Sequence, residues 1–500
     1  MAPYLERRGM PVRTAFGRDR WSQIGIGLLL AFTLCYTTSQ HALSSPNERS
    51  RLYLTVALFE QHSYAIDAVR LRFGSVLDEA IFNGHYFTDK APGASLLALI
   101  PYAAFRLFLP AERMSIEYLL DIARYGLMVP CGILAWLSLE ALCRSLRISA
   151  STARWVALVT ALGTPAFHYS AAFFGHQIVA TCLVTALYLL NQKSRQSAPT
   201  ASPNAWFAGI LIGLAGITEY QSLIGVLGVT GFCLAVSRGR RLAILLPYLL
   251  GGLPFAVWLA FYQKACFGGY FELSYHHLSD PVLASLHRRG LGGVEMPTPV
   301  GAFGMLLSLH RGLLSTSPLF ATVPLGLYGL WRRGHVLWAA LIAVVAGAEV
   351  WFVAASVTWE AGWGYGPRLL VPMLPLLSIS IAVALERAKR LAWCWGIACS
   401  AALVAIVSFQ AVTALFPEPP NEMLNPWLDV VEPLAAANLV APNLGARWLG
   451  LSDWQSLLPL VFTVFALFVV LARTAQRACG SWRYVRWLPT MPVVWFLIVI

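Results

Sequence analysis

The sequence predicts an all-α, polytopic membrane protein with about 13 transmembrane helices, its N-terminus cytoplasmic and its C-terminus outside, on the periplasmic side. Three observations predict it. The chain is 58% hydrophobic and 12% charged, with a mean hydropathy of +0.63. Its apolar runs are continuous and long enough to cross about 30 Å of hydrocarbon, where barrel strands would alternate and be about half as long. The basic residues recur in short loops, with room for one out-and-back pair of helices between consecutive clusters, which is a positive-inside pattern.

The first apolar run, from about residue 21 to 43, follows a basic head carrying Arg7, Arg8, Arg13, Arg18 and Arg20. It exceeds a signal h-region and lacks a small-x-small cleavage site, so it reads as a retained anchor. Later clusters are Arg144/Arg147/Arg154, Lys193/Arg195, Arg238/Arg240/Arg241, Arg332/Arg333, Arg387/Lys389/Arg390 and Arg473/Arg477/Arg483/Arg486. The run from Pro92 to Leu109 would invert every later loop if it crossed. It is therefore expected as an interfacial or re-entrant helix of the first outer loop, capped by Arg106 and Arg113. On this layout the inner segments hold 22 of the 36 Lys and Arg and 4 of the 24 Asp and Glu. The net charge of +12 thus records membrane orientation; with no basic stripe, P-loop or dinucleotide fingerprint, nucleic-acid binding is not implied.

Three regions follow: 1–21, a cytoplasmic basic head; 22–386, a transmembrane region with outer loops 44–117 and 265–315; and 387–500, a C-terminal transmembrane region with outer loop 416–454. Shorter outer turns fall near 167–176, 217–221 and 355–369. The nine cysteines are scattered through apolar runs without a C-x-x-C pair, so they read as small packing residues.

Unusual polar residues gather in the outer segments. Residues 48 to 62 read as an amphipathic helix opened by Ser44, Ser45 and Pro46, with Leu52, Val56 and Phe59 on one face. Glu48 and Arg51 share a face at a spacing of three. One reading is a carboxylate that takes a proton from a hydroxyl while the guanidinium neutralises a phosphate; the other is a helix-start carboxylate in a surface ion pair. Asp89-Lys90-Ala91-Pro92-Gly93 leaves Lys90 on a turn facing the headgroups, as a phosphate point charge or a snorkelling lysine. In the 359–368 turn, Glu360, Trp363, Tyr365 and Arg368 combine glycine-permitted close approach, aromatic surfaces for a sugar ring and a guanidinium fork for phosphate; the alternative is an aromatic belt. Glu219, His176 and Arg311 are further outer-facing candidates. His276, His277, Asp280 and His287 carry metal-ligating donors, but their spacing matches no compact site. No cofactor is required by any motif, and a divalent metal stays open.

These residues fall in motifs that resemble the GT-C superfamily of membrane glycosyltransferases, specifically the bacterial protein O-mannosyltransferases and the aminoarabinose transferases of lipid A. The motifs are Asn47-Glu48-x-x-Arg51, Asn83-Gly84-His85-Tyr86-Phe87-Thr88-Asp89-Lys90-Ala91-Pro92-Gly93, the stretch from Leu162 to His176, Ile217-Thr218-Glu219-Tyr220, His310-Arg311-Gly312 and the stretch from Gly362 to Pro375. Their order from about 44 to 376 matches the family. The resemblance implies a polyprenyl-monophosphate sugar as donor, a glycan, lipid or protein acceptor, and transfer of a hexosyl or pentosyl unit at the outer face of a bacterial inner membrane. It implies Glu48 as general base, Arg51, Lys90 and Arg368 as donor-phosphate ligands, and Asn47, Asp89, His176, Glu219, Arg311, Glu360, Trp363 and Tyr365 in support, with no metal ligand. Direct attack with a phosphate leaving group would invert the anomeric centre. Two positions depart from the family: Asn47 stands where the first acid of an Asp-Glu pair is usual, and Ala91 interrupts the usual Lys-Pro-Pro. A transporter or lipid-sugar flippase is the competing class; it predicts ionisable residues at the bilayer midplane and inverted repeats. Charges here gather at the outer boundary, Asp121 and Arg124 lying a turn inside one helix though still near its outer end, and no repeat appears.

Overall fold

The computed structural model describes residues 12–37, 45–110, 114–193, 203–237, 241–490 and 492–493. Arg7, Arg8, Ser44, Arg113, Arg195, Arg238 and Arg240 lie outside them. Among the described residues, six helices are long and apolar enough to cross a membrane: Ile116–Ser145, Leu242–Phe267, Val336–Ala355, Arg368–Arg387, Ala392–Leu415 and Asp453–Cys479. Shorter apolar helices cover Gly93–Arg106, Ala150–Leu162, Pro203–Thr218 and Tyr220–Val236. Helices dominate because a chain this apolar can satisfy its backbone within each segment.

The bundle has two polar ends. At one, Glu140 receives Arg154 at 3.1 Å, while Glu386 accepts from Ser149 Oγ at 2.7 Å and pairs with Lys389 at 3.0 Å. These are the carboxylates of the basic clusters expected inside. The segments expected outside converge at the other end, because Ala150–Leu162 leads away from the basic end into the 163–176 turn, and Arg368–Arg387 descends from the glycine-rich turn to Glu386.

Two expectations change in the first outer loop. The helix Pro46–Glu60 begins with Pro46 in its first turn and Glu48 near its positive end, as read. It is not amphipathic, however: ten of its residues, from Asn47 to Ala57, are buried on nearly every side, because the rest of the loop and the 163–176 turn close over it. Residues 61 and 62 lie beyond its end, where Gln61 caps it. The Gly93–Arg106 helix has 14 residues, about 21 Å at 1.5 Å per residue and so shorter than the hydrocarbon core. It packs along Pro46–Glu60, with Ser95 Oγ donating to the Arg51 carbonyl at 2.8 Å and Arg106 Nε pairing with Glu60 at 2.5 Å.

Between these helices lies a feature the sequence reading did not anticipate. Strands Glu79–Phe82 and His85–Thr88 pair antiparallel with Glu79 opposite Thr88. Asn83 and Gly84 turn the chain at φ of 50° and 82°, the two left-handed residues that a tight hairpin turn requires.

Candidate active site

Glu48 is 1% exposed and both its oxygens are engaged. Arg124 forks onto it, Nε to Oε1 at 2.9 Å and Nη2 to Oε2 at 2.5 Å, and the Phe173 amide donates to Oε1 at 2.6 Å. Burial would raise this carboxyl, but the Arg124 guanidinium and the two sets of hydrogen bonds outweigh it and hold Glu48 below the ordinary glutamate range. Arg124 sits in a π-helical turn, Arg124–Met128, inside a long helix; such bulges redirect a side chain out of register. Asp121, one turn earlier, lies 3.9 Å from Arg124 and takes Arg447 at 2.7 Å.

Arg51 does not pair with Glu48. Its Nη2 meets Glu219 Oε1 at 2.5 Å, Nε donates to Asn47 Oδ1 at 2.9 Å, and Nη1 reaches the carbonyls of Ala91 and Thr218. Spacing of three set both side chains on one face, but in a buried site each charge found a partner delivered by another segment. A surface ion pair is excluded: Arg51 is itself 1% exposed. Asn47, where a family acid is usual, serves as acceptor for that guanidinium.

The hairpin delivers Asp89 and Lys90. Lys90 Nζ lies 2.8 Å from Asp89 Oδ2 and 3.1 Å from Asp78 Oδ2. It is therefore held between two carboxylates and does not face open headgroups; their charges, overcoming burial, raise its pKa. Asp89 is pushed up to about 6 by burial, with Lys90 opposing and Asp78 adding to the shift. The Asp89 carbonyl accepts from Ser274 Oγ at 2.6 Å, tying the hairpin to the 265–315 loop.

Arg311 and Arg368 form the third part. Arg311, 3% exposed, spends Nη2 on the Gly362 carbonyl at 2.5 Å and on Asn421 Oδ1 at 2.7 Å, leaving Nε and Nη1 buried without hydrogen-bond partners. Arg368 stacks its guanidinium 5.1 Å over Phe174, and its buried Nε also lacks a partner. Neither guanidinium has a carboxylate within ion-pair distance among the described residues. Burial, with Arg368 adding to it, pushes Arg311 down to about 10. Around them stand Tyr169, Phe174 and His176, whose rings meet edge-on or stacked, and the His176 Nδ1 is buried and unpartnered. Lys90, Arg51, Arg368 and His176 all act on Glu219: burial raises its pKa, but their charges hold it below the ordinary range.

The expected residues divide. Glu48, Arg51, Asn47, Asp89, Lys90, His176, Glu219, Arg311 and Arg368 come together from segments far apart in sequence. Tyr365 instead packs on Phe409 at 5.0 Å within the core, and Trp363 is 49% exposed; Glu360 stands in the turn without an ion pair among the described residues. The histidine cluster is dispersed: His276 and His277 both meet Glu272, Asp280 caps the helix Pro281–His287, and His287 stacks on Tyr275. Among the described residues no group of three His, Cys, Asp or Glu is placed to hold a metal. Sequence reasoning missed Asp78, Tyr169, Glu418 and Asn421. For Asp121 and Arg124 the available signal is a pair of charges a turn inside an apolar helix.

No family model and no curated protein matches the chain. Solved structures do. ArnT from Cupriavidus metallidurans in the apo state aligns over 95% of this chain and 77% of its own at 16% identity and a TM-score of 0.52. The same protein bound to undecaprenyl phosphate gives 95%, 78%, 16% and 0.50. The Archaeoglobus fulgidus oligosaccharyltransferase, in complex with Zn and sulfate, aligns over 80% of this chain at 17% identity and a TM-score of 0.52, and this chain spans 54% of its length. At these identities the likeness shows the fold alone: this chain has the multi-pass helical architecture of these membrane proteins.

Proposed function

We propose that this chain is an integral membrane glycosyltransferase that transfers a hexosyl or pentosyl unit from a polyprenyl-monophosphate carrier to an acceptor hydroxyl at the outer membrane face. The carrying observation is the Arg311–Arg368 pair, a buried guanidinium beside a half-buried one, each with a buried N–H left without a partner and neither with a carboxylate at ion-pair distance among the described residues. Donors left unpaired beside two neighbouring cations call for an anion, and guanidinium donors fit a phosphate. That ArnT binds undecaprenyl phosphate in the same fold supports a lipid-linked phosphate as the anion.

In this mechanism Arg368 and Arg311 hold the departing phosphate, and Lys90 stands by in the neighbouring cluster. The acceptor oxygen attacks the anomeric carbon as the bond to the phosphate oxygen breaks, inverting the centre. Glu48 was the sequence candidate for base; its two occupied oxygens favour a positioning role, in which it fixes Arg124 and the Phe173 amide and so the 163–176 turn. The layout of about 13 crossings with the site outside belongs to the same proposal.

The test is binding of undecaprenyl phosphate to the full chain in nanodiscs. Arg368→Ala and Arg311→Ala should each weaken it by about tenfold or more, as expected for losing a charge-assisted contact worth about 1.5–3 kcal/mol. Unchanged affinity in both variants, or no binding by the wild type, would overturn the assignment.

A further inference from the structure

We infer that Asp89, not Glu48, is the general base that deprotonates the acceptor hydroxyl, with Lys90 and Asp78 as the pair that orients it. The inference rests on the proposed glycosyl transfer. Its first support is an accounting of lone pairs. Asp89 is 2% exposed, its Oδ2 is bound to Lys90 at 2.8 Å, and its Oδ1 is buried with no partner. A buried carboxylate oxygen left unpaired is costly unless a donor arrives, and an acceptor hydroxyl is such a donor. Glu48 offers no comparable oxygen, since Arg124 and Phe173 occupy both.

The second support is how firmly Asp89 is held. The hairpin ends at Thr88, whose hydroxyl bridges to Ser50 Oγ at 2.7 Å and accepts from the Lys90 amide at 3.2 Å, and Ser274 Oγ clamps the Asp89 carbonyl. A base must be within hydrogen-bond reach of its proton and keep its orientation. Here one oxygen is anchored and the other is left to the substrate.

The third is charge balance. Asp78 shares the Lys90 ammonium, so Lys90 does not strip Asp89 of its basicity. Facing Asp89 are Asp78 and Lys90 from its own loop, Arg51 from the Pro46–Glu60 helix, Tyr220 from the 217–221 turn, and Tyr275 from the 265–315 loop, with Glu219 behind Arg51 and Lys90. The balance leaves Asp89 at about 6, near the ideal for a base working at neutral pH.

The step closes on itself. The acceptor O–H proton moves to Asp89 Oδ1, the acceptor oxygen forms the glycosidic bond, and the anomeric carbon–oxygen bond to phosphate breaks with its electrons on the phosphate. Protonated Asp89 no longer claims the Lys90 charge, so that ammonium is released toward the phosphate as negative charge accumulates there.

The experiment uses the full chain in nanodiscs, with undecaprenyl phosphate as the binding probe and undecaprenyl-phosphate [14C]mannose turned over in the presence of solubilised bacterial envelope. Asp89→Asn should bind undecaprenyl phosphate within about twofold of wild type and turn over at least about 100-fold more slowly, the usual contribution of a positioned base. Asp89→Glu should recover part of the rate, and the rise of kcat/KM through the region of about 6 should vanish in Asp89→Asn. Wild-type turnover in Asp89→Asn, an unchanged pH profile, or a fall in undecaprenyl phosphate affinity as large as the fall in rate would overturn the inference. A wild type that neither binds undecaprenyl phosphate nor consumes the donor would overturn the glycosyltransferase proposal itself, and this assignment with it.

Discussion

Glu48 and Arg124 form a buried ion pair whose value shows when one partner is removed. Glu48→Ala leaves Arg124 buried without its fork, and the loss should be about 3–5 kcal/mol, read as a lower unfolding temperature of the nanodisc-embedded chain. Glu48→Gln, which keeps an acceptor for Arg124, should cost less, and a larger cost than the alanine would refute the pairing. Because the Glu48 carboxyl is held below its ordinary value, its stabilisation is present above the unfolded glutamate range and is lost as pH falls through the lower folded value. Acidification from about pH 4 downward should therefore progressively shrink the difference between wild type and Glu48→Gln. At Gly175, an added Cβ would stand 2.8 Å from the Glu219 carboxyl carbon, so Gly175→Ala should displace Glu219 from Arg51 and lower both stability and turnover. Residue types at these positions were legible from sequence; their partners were not, because Glu48 and Arg124 are 76 residues apart and Arg51 and Glu219 168 apart.

The element that most shapes access to the arginines is the segment 416–423. Asn421 binds Arg311, the Pro419 carbonyl accepts from the Gly364 amide at 3.0 Å, the Met423 carbonyl meets His310 Nδ1 at 2.7 Å, and Glu418 stands 3.5 Å from His168. Asn421 and the phosphate would compete for one guanidinium. Asn421→Ala should tighten undecaprenyl phosphate binding by roughly threefold to tenfold, the worth of about one hydrogen bond; weaker binding would show instead that Asn421 aims Arg311 at the ligand. The sequence reading placed this stretch in the outer loop 416–454 but could not show what it covered. The hairpin before Asp89 is legible in the sequence, since Asn83-Gly84 between two short runs is a strong local signal.

For the molecule as a whole, the fold class followed from hydropathy and from the spacing of basic clusters, because both record the bilayer itself. Burial of the Pro46–Glu60 helix on nearly all sides was not legible: periodicity reports one contact face, and here several segments close over the helix. Orientation can be checked with an impermeant maleimide on single cysteines placed in a cysteine-free chain at Phe271, which is exposed in the 265–315 loop, and at Arg333, which is exposed beside Arg332. Labelling of intact cells at 271 and only of opened membranes at 333 is expected. The reverse result would invert the layout and place the site on the cytoplasmic side.

The link from Arg447 through Asp121 and Arg124 to Glu48 also sets an order in time. Arg447 is among the last residues of this network to leave the ribosome, some 400 residues after Glu48. Until it arrives, Asp121 has only the more distant Arg124, whose guanidinium is shared with Glu48. On the proposed function, the centre of a nascent chain therefore stays unfinished until the segment carrying Arg447 docks.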